Sequence, residues 1–236
     1  MKHPVTTSDI LSENDKRVLL RELEMLPDDH EEFSAETPLR PDAFELSDEE
    51  KIHIIRKHVE GILHTLGLDL TDDSLKDTPL RVAKMYVKDF FYGLNPAHKP
   101  TIRLFQNKYR YSQMLVEKNI SFHSVCEHHL VPIIGKAHLA YFSSGKVIGL
   151  SKLHRLVHYF AARPQVQERM TMQIGKALCE ELQTEDVAVL LDASHLCVSM
   201  RGVKDEDSST VTTFFSGQFK KKKVREEFFI QAGIKL

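Results

Sequence analysis

The hydrophobic repeat of this chain changes period three times, and the order of those changes narrows its possible folds more than any single composition figure. In "SDEEKIHIIRKHVEGILHTLG", Ile52, Ile55, Val59, Ile62, Leu63 and Leu66 recur at helical spacing. Ser47 and Glu50 are placed as a capping box, and Gly67 stops the pattern. A second helix is predicted from Thr78 as N-cap, with Pro79 at its first position, through "LRVAKMYVKDFFY" to Gly93. Strand formers follow in "QMLVEKNISF" and "GKAHLAYFSSGKVIGL", the latter broken at Ser143, Ser144 and Gly145 like a hairpin turn. Helical stripes return at Leu153, Leu156, Val157 and Phe160, then at Val166, Met170, Ile174 and Leu178. In "DVAVLLDASHLCVSM", Val187, Val189, Leu191, Ala193, His195 and Cys197 alternate onto one strand face, and "STVTTFFSGQF" is the expected partner. Two helices, strands, two helices and strands, with no internal repeat, predict an α+β domain.

Residues 1–46 stand apart as an arm, because "LPDDHEEFSAETPLRPDAFE" mixes three prolines with many acids; "DKRVLLRELEML" is the one short helix expected there. The remainder, 47–236, carries the periodic signal. A length of 236 residues admits one large domain with an arm or two small domains, and 42% hydrophobic with 28% charged residues is the balance of a chain with a sizeable core. A net charge of -2 argues against a dedicated nucleic-acid binder, so an anionic ligand would need a local basic cluster. No apolar run approaches the roughly 18 residues of a membrane span, and the polar start lacks a signal-peptide core. A cytoplasmic address without membrane partners is the expectation. Three cysteines, Cys126, Cys179 and Cys197, are an odd number and disfavour a disulfide framework.

"SVCEHHLVP" concentrates the chemistry. Cys126 and His129 form a C-x-x-H pair of donors that suits zinc, and Cys197 is the best third candidate, since His195 and Cys197 project from one side of an extended strand. Three protein ligands leave a fourth tetrahedral position open, the arrangement of a catalytic zinc that lowers the pKa of its water to roughly 7. If the chain around His128 and His129 is extended, the two rings point apart, and one histidine is left for proton transfer along with His195. The bland reading competes: buried cysteines serving as small hydrophobes, and histidines that only orient a neighbour.

Lys152 and Arg155 lie three apart on a helix opened by Ser151 as candidate N-cap, which makes an anion site; Arg201 and Arg81 join it only if the fold or a neighbouring subunit brings them close. Gln167 and Glu168 open the next helix, where an amide beside a carboxylate can read a guanine edge, although acids also favour helix starts. "FKKKKVRE" reads as a solvated run.

"CEHHLVP", "GLSKLHRLV", "RPQVQERMT", "HLCVSMRG" and "TPLRVAKM" together closely resemble GTP cyclohydrolase I, continuously from about Leu46 to Phe229. The resemblance implies the tunnelling fold, assembled as a ring-shaped homodecamer of two pentamers with active sites between subunits. It implies Cys126, His129 and Cys197 as Zn2+ ligands and His128 and His195 as catalytic residues. It implies Gln167 and Glu168 as guanine contacts and Ser151, Lys152, Arg155, Arg201 and Arg81 as ribose and triphosphate contacts. Glu127 is given no role beyond local support. The implied reaction turns GTP and water into 7,8-dihydroneopterin triphosphate and formate. Two other readings remain: a zinc-containing tunnelling-fold protein acting on another purine or pterin, and a zinc-stabilised module that binds a nucleotide without turning it over.

Overall fold

The computed structural model describes residues 36–234; the short helix expected in "DKRVLLRELEML" lies outside them. Helix α1, Asp48–Thr65, starts as expected: Ser47 Oγ accepts from the Glu50 amide, and the Glu50 carboxylate accepts from the Ser47 amide. Only the first part of its apolar stripe is covered. Ile52 and Val59 are buried, whereas Ile62 is 59% and Leu66 70% exposed.

Helix α2, Thr78–Met85, differs from expectation at both ends. Its N-cap is Asp77, so Thr78 is already helical, and beyond Met85 the chain widens into a π turn, Tyr86–Phe90. The Phe91 amide bonds the Tyr86 carbonyl five residues back, bringing those two rings to 5.3 Å between centroids. Gly93 is not a helix stop. Its amide donates to the Ala162 carbonyl, and a Cβ there would lie 2.0 Å from the Tyr159 carbonyl, so glycine permits the close approach.

Seven strands follow: β1 Leu104–Gln106, β2 Leu115–Cys126, β3 Pro132–Tyr141, β4 Lys146–Ile148, β5 Pro164–Gln165, β6 Val187–His195 and β7 Thr210–Phe215. The main sheet has the order β5-β2-β3-β6-β7, antiparallel except for the short parallel pairing of β5 with β2. The turn at Ser143–Gly145 forms, closed by Ser143 Oγ donating to the Lys146 carbonyl, but β4 leaves β3 and pairs with β1. β3 already has partners on both sides, β2 and β6, so no edge remains for the expected hairpin ladder.

Helices α3, Leu150–Ala161, and α4, Gln167–Leu182, cover one face of the sheet. Leu153, Leu156, Val157, Met170, Ile174 and Leu178 pack there against Phe122, Leu139, Val189 and Leu191. Ser151 is not the N-cap of α3; Gly149 is, and no side chain caps that end. On β6 the odd residues face this core, while Ala188 and Leu190 face a second one on the opposite side. That second core is closed by the C-terminal helix α6, Lys222–Ala232, through Phe228 and Ala232. The lysine run is exposed as expected, yet it opens a helix that the sequence reading did not include.

Beyond His195 the strand ends, and Leu196–Ser199 forms a single helical turn, α5. Cys197 therefore lies on a helical turn, contrary to the expectation of a continuing strand. Among the described residues, no helix is long and apolar enough to cross a membrane.

Candidate metal centre

β2 ends at Cys126, and residues 127–129 form a turn, not the extended chain that would point His128 and His129 apart. The Leu130 amide donates to the Cys126 carbonyl at 2.8 Å, and Leu130 takes a left-handed conformation with φ 53° before β3 begins. Because Ile133 of β3 pairs with His195 of β6, the end of β6 and turn α5 lie beside this loop. The ligand atoms of Cys126, His129 and Cys197 fall within 4.8 Å of one another. Zinc bonds of about 2.0–2.3 Å in a tetrahedron separate ligand atoms by about 3.5–3.8 Å, so a small inward adjustment suffices, and two thiolates with one imidazole fit a borderline-soft ion.

Burial, with Cys126 alongside, pushes the Cys197 thiol up to about 11. A cation is what allows two such sulfurs to sit deprotonated side by side. His128 also approaches, its Nδ1 3.8 Å from Cys126 Sγ, but it is not one of the three grouped donors. Arg201 is brought to the same loop: its guanidinium lies 2.7 Å from His129 Nε2, which therefore accepts and leaves Nδ1 as the nitrogen turned toward Cys126.

Behind the donors, His195 Nε2 is 2.7 Å from Gln167 Oε1. The orientation of that amide is settled by its other end, whose Nε2 faces three acceptors: the Thr210 carbonyl at 2.8 Å, Thr212 Oγ1 at 3.1 Å and the Leu191 carbonyl at 3.3 Å. Oε1 must then face the imidazole, so His195 carries its proton on Nε2, and Nδ1 is the basic nitrogen. Burial lowers the His195 pKa, offset in part by Glu168. Gln167 thus differs from the expected open guanine reader, since it is buried and its amide is held by the protein; Glu168 beside it is exposed.

Sequence reading missed Arg169. Both of its terminal nitrogens reach the Glu127 carboxylate from the first turn of α4. The available signal was a cation in a helix's first turn, where the dipole disfavours it.

The basic residues of α3 do not join the cluster within one chain. His154 contacts Glu117 and His158 contacts the Ser121 carbonyl, so α3 runs alongside β2 with its start at the strand's far end. Nine steps along β2 separate Glu117 from Cys126, one of them absorbed by a bulge between Glu117 and Ile120, which leaves about 26 Å at roughly 3.3 Å per residue. Ser151 and Lys152 lie near that far end, and Arg155 lines a cavity of about 220 Å³ with Tyr92, His98 and His158. Arg81 is exposed on α2, paired with Asp77.

The sequence matches the family described as GTP cyclohydrolase I over residues 55–233. The chain belongs to the GTP cyclohydrolase I family. It is similar to GTP cyclohydrolase 1 of Flavobacterium johnsoniae, 60% identical over 206 residues that cover 87% of this chain and 92% of the relative. GTP cyclohydrolase 1 of Vibrio parahaemolyticus is 53% identical over 190 residues, 80% of this chain and 87% of that protein. The Salmonella arizonae protein of the same name is 48% identical over 197 residues, 84% and 89% of the two chains. The GTP cyclohydrolase I family is a family of enzymes, and the Cys126, His129 and Cys197 cluster found here is a set that could bind a metal.

Proposed function

We propose that this protein is a zinc-dependent GTP cyclohydrolase I, opening the imidazole ring of GTP at C8, releasing formate and closing the product to 7,8-dihydroneopterin triphosphate. The observation that carries this reading is the trio of donors within 4.8 Å, beside a histidine whose tautomer is fixed by a buried amide. Cys126, His129 and Cys197 would hold the zinc, which when bound would activate a water at neutral pH. The protein supplies the rest. His195 Nδ1, with Nε2 held by Gln167, exchanges protons with the purine ring, and His128 is the second proton carrier. Glu168 accepts from the guanine N1 and N2 hydrogens, next to Gln167. If His129 held the metal through Nδ1, the nitrogen turned toward Cys126, Nε2 would carry the ring proton and no longer accept from Arg201, whose guanidinium would be free for the triphosphate.

Ser151, Lys152 and Arg155 complete the anion site from a neighbouring subunit, because about 26 Å of strand is farther than an extended nucleoside triphosphate reaches, and Arg81 is proposed to join them there. The assembly we propose is the ring of the tunnelling fold, a homodecamer of two pentamers. Two features support it. Among the described residues, β2 over 115–124 and β7 each have one side without a strand partner, and the second half of the α1 stripe is uncovered. The domain proposed to do this spans 47–236, with 1–46 as an arm.

The test is direct. Zinc-loaded protein incubated with GTP should yield formate together with, after oxidation, a fluorescent pterin, and neither product would end the proposal. Mixing Arg81→Ala with Cys197→Ser subunits should restore activity if sites are shared; no recovery after confirmed subunit exchange would refute the shared site.

A further inference from the structure

Glu127 sits between a metal-ligand candidate and two histidines, and its carboxylate is gripped by Arg169. The partner is costly to place. The Arg169 side chain is almost fully buried, and it occupies the first turn of α4, where the helix dipole opposes a cation. A buried ion pair is weak evidence for stability, because desolvation of both charges offsets their attraction; its best-attested use is to fix register. The planar fork of arginine suits that use, since two parallel bonds set angle as well as distance.

The surroundings show which register is fixed. The Glu127 amide donates to the Gln165 carbonyl at 3.1 Å, and Cys126 pairs with Gln165 in the short β5 ladder. Gln165 is itself buried, its amide nitrogen held by the Phe160 carbonyl and by Gln173. The turn at 126–129 is therefore tied to the start of α4 twice, by main chain through Gln165 and by side chain through Arg169. The same first turn of α4 carries Gln167, which holds His195, and Glu168. The Glu127 carboxylate also comes within 3.9 Å of His128 Nε2.

We propose that Glu127 and Arg169 are positioning residues: their partly buried pair fixes the turn bearing Cys126, His128 and His129 against the helix start bearing Gln167 and Glu168. The pair thereby sets the spacing between the metal and the substrate-reading end of α4. This rests on reading the donor trio as the metal site.

Two variants test it. Arg169→Lys keeps the charge but loses the fork, and Glu127→Gln with Arg169→Gln removes both charges so that neither is left buried alone. Each is loaded with Co2+, whose absorption bands report ligand geometry, and its affinity is titrated against a chelator. Both should show shifted bands and about 10- to 100-fold weaker Co2+ binding. In the zinc-loaded forms, kcat for formate release should fall about 100-fold with KM for GTP little changed, the cost of misplacing reacting groups by about an ångström. Wild-type bands, affinity and kcat per loaded site, with only the melting temperature lowered, would reduce the pair to a structural contact and overturn the proposal. Failure of both variants to fold would do the same, making the pair a determinant of the fold. If the wild-type protein releases no formate, the proposed function falls, while the cobalt bands still decide the role of the pair.

Discussion

Gln167→Met separates two roles for one residue. Methionine matches glutamine in length and fills the same buried space, but it offers His195 no acceptor and the sheet no donor. Thr212 Oγ1 keeps its contact with Thr171 Oγ1 at 2.6 Å, so the main losses are the bond to His195 and the bond to the Thr210 carbonyl. Two bonds at about 1 kcal/mol each, plus the cost of leaving a buried polar group unpaired, give a loss of about 2–4 kcal/mol. For a domain of this size that lowers Tm by about 5–15 °C. General acid–base catalysis contributes about 100- to 10,000-fold, and a ring that has lost its orienting bond should forfeit the lower part, about 100-fold in kcat. The assay pairs thermal melting with steady-state formate release on zinc-loaded protein, with His195→Ala as the reference for complete loss. A variant that keeps kcat within about threefold would refute the orienting role. If KM rises while kcat holds, Gln167 reads the base directly, and the inward-facing amide is not its working conformation.

Three further outcomes follow from the same structure. Glu168→Gln, at an exposed position, should leave Tm little changed and raise KM for GTP about 10- to 100-fold, the worth of a charge-assisted hydrogen bond; an unchanged KM would remove Glu168 from the site. His138 is buried on the opposite sheet face, with no hydrogen-bond partner for Nδ1 among the described residues, and its pKa is lowered first by burial and further by Lys136 and Lys118, against Asp192. Unfolded chain then takes up the proton first, so stability is full above pH about 6.5 and is lost as pH falls through the lower folded-state value. Melting of the wild type at pH 7.5 and 5.5 should differ more than that of His138→Leu, and equal differences would count against this. Phe228→Ala should cost about 3–5 kcal/mol in the second core while formate release per folded subunit persists; a negligible change in Tm would show that α6 does not close that core.

What was legible in the sequence was whatever depended on near neighbours. The α1 capping box, the stripe of α3, the stripe of α4 from Met170 and the alternation of β6 from Val187 to Ala193 are set within a few residues, and each was found where the pattern placed it. What depended on distant partners was not legible. Nothing between Ser143 and Ile148 says that β4 will pair with Leu104–Gln106, since that outcome follows from β3 having both edges taken. Helix α6 was hidden for a local reason: four consecutive lysines read as solvent-facing, while Phe228 and Ala232, four apart, carry its buried side. The Glu127–Arg169 pair spans 42 residues and is written only as a cation placed against a helix dipole.

Cys197 was joined to the C-x-x-H pair on the expectation of a continuing strand, which the structure replaces with a helical turn, and that turn explains why the site lies where two strands stop. In a continuing strand, residues two apart share a face at about 6.6 Å, and residues three apart point to opposite faces. Cys126 and His129 are three apart, so an extended chain would turn them away from each other. The turn at 127–129 and the helical turn at Leu196–Ser199 remove that alternation, which is what lets the three ligand atoms come within 4.8 Å. The ordered part of each strand then serves as a fixed arm: β2 delivers Cys126, and β6 delivers His195 against Gln167. Extending either strand by two residues would keep every chemical group and lose the convergence. A three-ligand metal centre here requires chain breaks directly beside well-paired sheet, and the motif "CEHH" is best understood as a strand end that happens to carry its ligands in the turn.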